Sequence, residues 1–379
     1  MVEIGNYTEI EIDLSGYSEE TRKMVTYRIP FLSKKIKSFR VEGSSVFLVS
    51  DVNERDDVNK LAMEMINETD AALGKQKHLV IFENTAKSGM KKDDIYPELL
   101  EKKWIIHYDN GLIGFGKGFL EAFKRFDSVF LDWSRDVGAT EYVYPDLIDI
   151  ATLNRCKYIE QFPNNILFTS YLQEDMEKIK EFSEMTSEGK DCLNDIFLEH
   201  PAYANKSAIC MHTYKQYENS SIDLEHPIVI TSVGKCKRYE SLNMKKVERL
   251  LDFTMREIIL IGSEAFVLSK REELMNRMMV LIEEMDVTAN LKTSSDPFFL
   301  NQYQSKAALQ QKFKLKYEMN MYLPYAEKEL AVASFNYHGT YFADAFHIQA
   351  TDGGKVYTGC VAFGLERFAY AYLCQKGLC

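Results

Sequence analysis

The chain has no apolar run approaching the roughly 20 residues that a membrane-spanning helix needs, so a span of that kind is excluded. None of its seven cysteines form a CxxC pair, they are scattered, and their number is odd. A disulfide framework is therefore not expected, and reduced thiols are left for other roles. The opening Met1-Val2-Glu3-Ile4-Gly5 lacks the basic and apolar segments of a signal peptide, which makes the cytoplasm the expected location. Positive charge is also short: 46 Lys and Arg stand against 57 Asp and Glu, a net charge of -11. That balance weighs against a large nucleic-acid surface, because such surfaces gain affinity by neutralising phosphates. No internal repeat or low-complexity tract is visible.

What is present suits an ordinary globular protein. Of 379 residues, 46% are apolar and 12% aromatic, enough for one large domain and a smaller one. Residues 7–14 and 36–49 alternate as strands do, Val41-Glu42-Gly43-Ser44 reads as a hairpin turn, and 58–73 has helical spacing. Another strand is expected over 77–82, and the polar stretch 83–94 reads as a linker. Then follow a strand from Trp104, a helix over 116–129, an extended segment over 142–150 containing Pro145, and helices over 174–184 and 263–285.

Two segments carry chemistry. Near the C-terminus, Thr358-Gly359-Cys360-Val361-Ala362-Phe363-Gly364-Leu365-Glu366-Arg367 runs from a strand into an apolar helix, Phe368-Ala369-Tyr370-Ala371-Tyr372-Leu373. A guanidinium at the head of that helix offers phosphate oxygens a permanently charged planar fork. Neighbouring glycines let backbone approach a nucleotide, and the helix N-terminus adds positive field. Upstream, the strand-like runs 228–233 and 258–261 flank a polar stretch that contains Arg238, Glu240 and Phe253. Without a wider pattern these would be solvated ion pairs and a core phenylalanine.

In this order the two segments resemble motifs 2 and 3 of the class II aminoacyl-tRNA synthetases. The helix followed by Tyr144-Pro145-Asp146-Leu147 resembles motif 1, which builds a dimer interface around a proline. The resemblance covers roughly residues 100–379. It implies an α+β fold: an antiparallel sheet flanked by helices over 99–379, homodimeric, behind a small N-terminal α/β module over 1–98. By resemblance, Arg238 grips the substrate carboxyl and the α-phosphate of ATP, Glu240 reads the adenine amino group, Phe253 stacks on the base and Arg367 holds the triphosphate. Arg238 and Arg367 are the expected catalytic residues, since amino-acid activation builds negative charge on a pentacoordinate phosphorus that fixed cations stabilise.

A narrower resemblance concerns Cys210, Glu257 and Cys360. They are too far apart in the chain to form a motif of their own, and the cysteines alone would read as buried apolar thiols. In the atypical seryl-tRNA synthetases of methanogens, and in the small amino acid:[carrier protein] ligases related to them, a Cys, Glu, Cys set at these positions binds zinc. The substrate's amino group takes the open fourth position. Zinc on this set would select the substrate rather than generate hydroxide. Arg238-Tyr239-Glu240-Ser241 and Gln375-Lys376-Gly377-Leu378 resemble the seryl enzymes. Met255-Arg256-Glu257, Asp296-Pro297-Phe298-Phe299 and Ser334-Phe335-Asn336-Tyr337-His338 resemble the ligases, which makes Asn336, with Glu257, a substrate-binding residue. One departure is that Leu330-Ala331-Val332-Ala333-Ser334 lacks the acid that helps many tRNA-charging enzymes hold the Mg2+ of ATP.

The resemblance implies an ATP-dependent, AMP-forming ligase that adenylates a small amino acid, glycine or alanine first and serine next. The aminoacyl group would pass to the phosphopantetheine thiol of a carrier protein. A short N-terminal module and the acidic balance make tRNA an unlikely partner. The alternatives are a seryl-tRNA synthetase-like tRNA-charging enzyme and a catalytically silent amino-acid-binding paralogue. Docking an acidic carrier calls for a basic surface, either Lys34, Lys35, Lys37 and Arg40 or Lys235, Lys237, Lys245, Lys246 and Arg249. Gly111-Leu112-Ile113-Gly114-Phe115-Gly116-Lys117-Gly118 imitates a phosphate loop, but Gly118 has no hydroxyl for magnesium. His212, His338 and His347 read as pocket or core histidines rather than ligands.

Overall fold

Apolar runs and alternating segments from most of the chain's length meet in one eight-stranded sheet in the computed structural model, which describes residues 6–73, 78–296 and 313–378. The strand order is Val80–Asn84, Ala289–Thr293, Lys316–Leu323, Lys328–Gly339, Tyr357–Gly364, Asp252–Gly262, Ile228–Lys237 and Thr140–Glu141. Neighbours are antiparallel except the last pair, which is parallel.

The run 258–261 is continuously apolar because it is buried on both faces. Ile258 and Leu260 face the helices Lys117–Asp136, Glu264–Met285 and Leu365–Lys376, in a core with Phe126, Phe130, Phe363 and Phe368. Phe130 stacks on Phe363 at 4.0 Å between centroids. Ile259 and Ile261 face the other side, packing with Tyr214, Phe346 and Cys360. That second face carries the functional residues.

The strands around the polar loop extend beyond the expected 228–233 and 258–261, because polar residues continue the ladder to the pair Lys237 and Asp252. Likewise the helix expected over 116–129 continues to Asp136. The glycine-rich imitation of a phosphate loop is a hairpin, Ile105–Asp109 with Leu112–Phe115, leading into that helix. A Cβ at Gly118 would stand 2.0 Å from the Trp104 ring, so this glycine serves close packing.

The N-terminal unit is a three-stranded antiparallel sheet, Tyr7–Asp13, Ser45–Asp51 and Ile36–Glu42, packed on helices Glu19–Arg28 and Arg55–Leu73. Gly43 makes the hairpin turn with φ +58°. Helix Glu19–Arg28 was not expected, for half of it is charged and it buries only Thr21, Val25 and Tyr27. The strand expected over 77–82 is found at Val80–Asn84, while Lys77 lies outside the described residues. It pairs with Ala289–Thr293, so this strand of the 1–98 segment joins the large sheet. Among the described residues, no helix is long and apolar enough to cross a membrane.

Candidate active site

Glu257 projects from the Asp252–Gly262 strand towards the start of helix Cys210–Gln216. Its carboxylate accepts from two backbone amides, Ile209 at 2.9 Å and Cys210 at 3.0 Å. Cys360 arrives on the adjacent strand, opposite Ile259 and two residues from Ala362, the partner of Glu257. Period-two alternation therefore puts Glu257 and Cys360 on one face. Ligand atoms of Cys210, Glu257 and Cys360 all lie within 4.8 Å of one another, and all three residues are buried.

Burial, helped by the negative charge of Cys360, raises the Glu257 carboxyl to about 7 against the pull of the two amides. The Cys360 thiol is held well below its ordinary value by the hydrogen bond from Cys210, outweighing burial, with His338 and Asn336 assisting. The same contact pushes Cys210 up. Buried groups that repel one another's negative charge are costly unless a cation joins them. Two thiolates and a carboxylate fit zinc, with a fourth position left for substrate.

Asn336 is the cross-strand partner of Cys360. Its Nδ2 lies 3.4 Å from Cys360 Sγ, 3.3 Å from Cys360 O and 3.1 Å from Ser334 Oγ. His338 stands beside the cluster, with Nε2 3.7 Å from Cys360 Sγ and Nδ1 3.2 Å from the Tyr214 hydroxyl. His212 stacks on Tyr144 at 5.5 Å, and burial, then the Lys206 charge, lowers it to about 4. His347 is exposed at the end of helix Tyr341–Phe346.

The arginines gather further along the same face. Phe253 and Glu257 lie four residues apart on one strand, so their side chains share a face roughly 13 Å apart. The Arg238 guanidinium lies 5.3 Å from the centre of the Phe253 ring, and its Nε donates to Ser207 O at 3.1 Å. Glu240 is buried and pairs with Arg249. Burial opposes ionisation of Glu240, but Arg249, Arg367 and Arg238 outweigh it and hold the carboxyl below its usual range. Arg367 donates to Ala331 O at 3.4 Å; burial and the Arg249 charge push it down to about 10, still cationic at neutral pH. Three guanidiniums around one carboxylate leave surplus positive charge suited to a polyphosphate. Glu366 fixes the head of the Leu365–Lys376 helix by accepting from Thr254 N at 2.9 and 2.8 Å and from its hydroxyl at 2.7 Å.

Several contacts were not visible in the sequence. Arg249, read as part of a basic patch, belongs to Glu240. Among its companions, Lys235 pairs with Asp252 at 3.2 Å and Lys246 with Asp94 at 2.5 Å. In the other cluster Lys35 pairs with Asp57 at 3.0 Å, Lys37 with Asp51 at 3.6 Å and Arg40 with Glu9 and Glu42. In an acidic chain, carboxylates on adjacent strands and helices reach most such cations. Lys316 and Glu318 were missed; they are cross-strand partners of Asn336 and Ser334, hence on the active face. Lys316 pairs with Asp296 at 2.6 Å and Glu318 at 3.1 Å. Their alternation was available, but the register that brings them here was not. Pro297, Phe298 and Phe299 lie outside the described residues.

No protein-family profile matches the chain. It is 30% identical over 244 residues to amino acid--[acyl-carrier-protein] ligase 1 of Bradyrhizobium diazoefficiens, covering 64% of this chain and 73% of that one. It is 25% identical to the type-2 serine--tRNA ligase of Methanocaldococcus jannaschii over 99% of this chain and 75% of the relative. Against type-2 serine--tRNA ligases of Methanococcus, the chain spans about half the relatives' length, 48% and 51% in two of them. The crystal structure of M. kandleri SerRS in complex with A. aeolicus tRNASec shares the fold, with TM-score 0.71 and 23% identity over 98% of this chain and 75% of that chain. Sequence and architecture together make this chain a member of the class II aminoacyl-tRNA synthetase-like ligases, in the group that contains the type-2 serine--tRNA ligases and an amino acid--[acyl-carrier-protein] ligase.

Proposed function

We propose that the protein uses ATP to activate a small amino acid and passes it to the phosphopantetheine thiol of a carrier protein. The observation that carries this reading is the Cys210, Glu257 and Cys360 cluster, with Asn336 against it, on the sheet face that also bears Phe253 and the arginines. Bound zinc would take the neutral amino group of the substrate and so reject acids without one.

The substrate carboxylate attacks the α-phosphorus; a P–O bond forms and pyrophosphate leaves. Arg238 and Arg367 meet the charge that grows on the phosphoryl oxygens, Phe253 supports the base and Glu240 reads its amino group. Asn336 orients the amino acid beside Cys360. Magnesium that arrives with ATP would be held by Glu318 and Asp296, which together carry one more charge than Lys316 cancels. The carrier thiol then attacks the acyl carbon and AMP departs, so no protein nucleophile is needed. Bringing two bound reactants together contributes much of the acceleration.

A homodimer fits the loop of Tyr144 and Pro145. The buried Lys206 donates to Pro145 O at 2.9 Å and to Asp146 at 2.8 Å, while Val143 is 87% exposed on that loop. Pairing of two copies through this surface would cover it.

The second reading, charging of tRNA, is favoured by the full-length match to the M. jannaschii serine--tRNA ligase. Offering the zinc-loaded protein a phosphopantetheinylated carrier or tRNA, with ATP and each of glycine, alanine and serine, separates the two. The expected result is an aminoacyl mass increment on the carrier thiol. Charging of tRNA with an unmodified carrier would reverse the assignment.

A further inference from the structure

Tyr27, in the last turn of helix Glu19–Arg28, is a residue of the N-terminal unit buried against the loop that carries Arg238 and Glu240. Its backbone carbonyl accepts from Asn243 Nδ2 at 2.8 Å. Its hydroxyl donates to Asn165 Oδ1 and accepts from Asn164 Nδ2, both at 2.9 Å. Asn165 in turn accepts, through its backbone carbonyl, from the amide of Tyr239 at 3.0 Å. The Tyr27 ring lies 5.7 Å from the guanidinium of Arg249, the partner of Glu240. Two more contacts follow the same seam: Phe31 meets Tyr239 edge-on at 6.3 Å, and Lys245 lies 4.9 Å from the Phe39 ring.

The loop itself needs such support. Ser241 and Lys246 hold φ of +50° and +46°, conformations that side-chain-bearing residues adopt at a cost and keep only where surroundings impose them. Between them, Asn243 is buried by its bond to Tyr27. The far end of the loop is tied to the large domain, since Lys246 pairs with Asp94 at 2.5 Å. The near end, from Tyr239 to Asn243, is held from the N-terminal side.

From this geometry we infer that the N-terminal unit is a brace for the nucleotide loop, with Tyr27 the positioning residue. It fixes Arg249 and the Tyr239 to Asn243 segment, so that Glu240 and Arg238 stand ready before ATP arrives. The inference rests on the reading of Glu240 and Arg238 as nucleotide-contacting residues. It assigns the N-terminal unit a role inside the activation step, separate from any acceptor. Preorganising a loop raises affinity by sparing the entropy of ordering it on binding, so the effect falls on ATP affinity rather than on the chemical step.

The test uses the full chain with Tyr27→Ala, Tyr27→Phe and Asn243→Ala. Tyr27→Ala is expected to raise KM for ATP about tenfold, with kcat and the amino-acid KM within about twofold. Asn243→Ala removes the loop's bond to the Tyr27 main-chain carbonyl, a second contact of the same brace that Tyr27→Ala leaves in place, and is expected to shift KM for ATP in the same direction. Tyr27→Phe keeps the ring beside Arg249 and should recover most of the affinity. Hydrogen–deuterium exchange without substrate gives a readout independent of activity: residues 239–246 exchange faster in both alanine variants, while strands Ser45–Asp51 and Asp252–Gly262 do not change. Unchanged loop exchange and unchanged KM for ATP in both variants would overturn the inference. If the wild type binds no ATP, the functional reading falls, while the loop exchange still decides whether Tyr27 braces the loop.

Discussion

Asn336 and Cys360 face each other directly across two central strands, and the amide of Asn336 reaches the Cys360 sulfur at 3.4 Å. A neutral amide there does two things at once. It donates to a thiol whose neighbours favour its charged form, and under the proposed function it lines the space that a substrate amino group enters.

Asn336→Ala should therefore separate binding from metal retention. Removing one hydrogen bond to a polar substrate costs about tenfold in affinity. The amino-acid KM is expected to rise by that order, while zinc content measured by mass spectrometry and the KM for ATP are unchanged. Loss of zinc in this variant would mean that Asn336 is part of the metal's support rather than of the pocket.

Cys210→Ser replaces a thiol of the proposed zinc site at the start of helix Cys210–Gln216. Zinc content and amino-acid activation should fall together, and added zinc should restore neither fully. Full activation by a zinc-free variant would refute the metal assignment.

Arg367 sits among like charges, with burial and Arg249 both lowering its pKa. Under the proposed function this cation serves an anionic ligand rather than stability. Arg367→Ala is expected to lower the rate of pyrophosphate exchange by about 100-fold or more without loss of thermal stability. An unstable but active variant would show that Arg367 is structural.

Arg256 points to the opposite face from Glu257 and holds Asp127 through two bonds, at 2.5 and 3.1 Å, and Glu141 at 3.1 Å. The pair ties the Lys117–Asp136 helix to the strand that carries Glu257. Asp127→Ala leaves the buried guanidinium only Glu141 and Thr231 as side-chain partners and should destabilise the fold by about 2 kcal/mol in urea unfolding. The double variant Arg256→Met, Asp127→Leu should recover part of that loss, because it removes both charges. No recovery would indicate that the pair's geometry, rather than charge burial, sets the cost.

Much of the site was legible because its chemistry restricts residue types. Arg238, Glu240, Phe253 and Arg367 are found clustered, and Cys210, Glu257 and Cys360 converge despite their separation in sequence. The antiparallel sheet and its flanking helices were legible too. Contacts set by strand register were not. Lys316 meets Asn336 only because of one antiparallel alignment, and Tyr27 meets Asn243 across a separation of 216 residues. The segment 77–82 reads as a strand from its residues alone, but nothing in those residues says which sheet it joins. The partners of the charge clusters were hidden for the same reason, since a lysine's neutralising carboxylate often lies on another strand.

The most direct test is amino-acid-dependent exchange of pyrophosphate into ATP, run on the zinc-loaded protein with each of the twenty amino acids in turn. The account predicts exchange with glycine, alanine or serine, abolished by Cys210→Ser and by Arg367→Ala. No exchange with any amino acid, from a folded and zinc-containing sample, would contradict the activation chemistry and favour a silent amino-acid-binding paralogue.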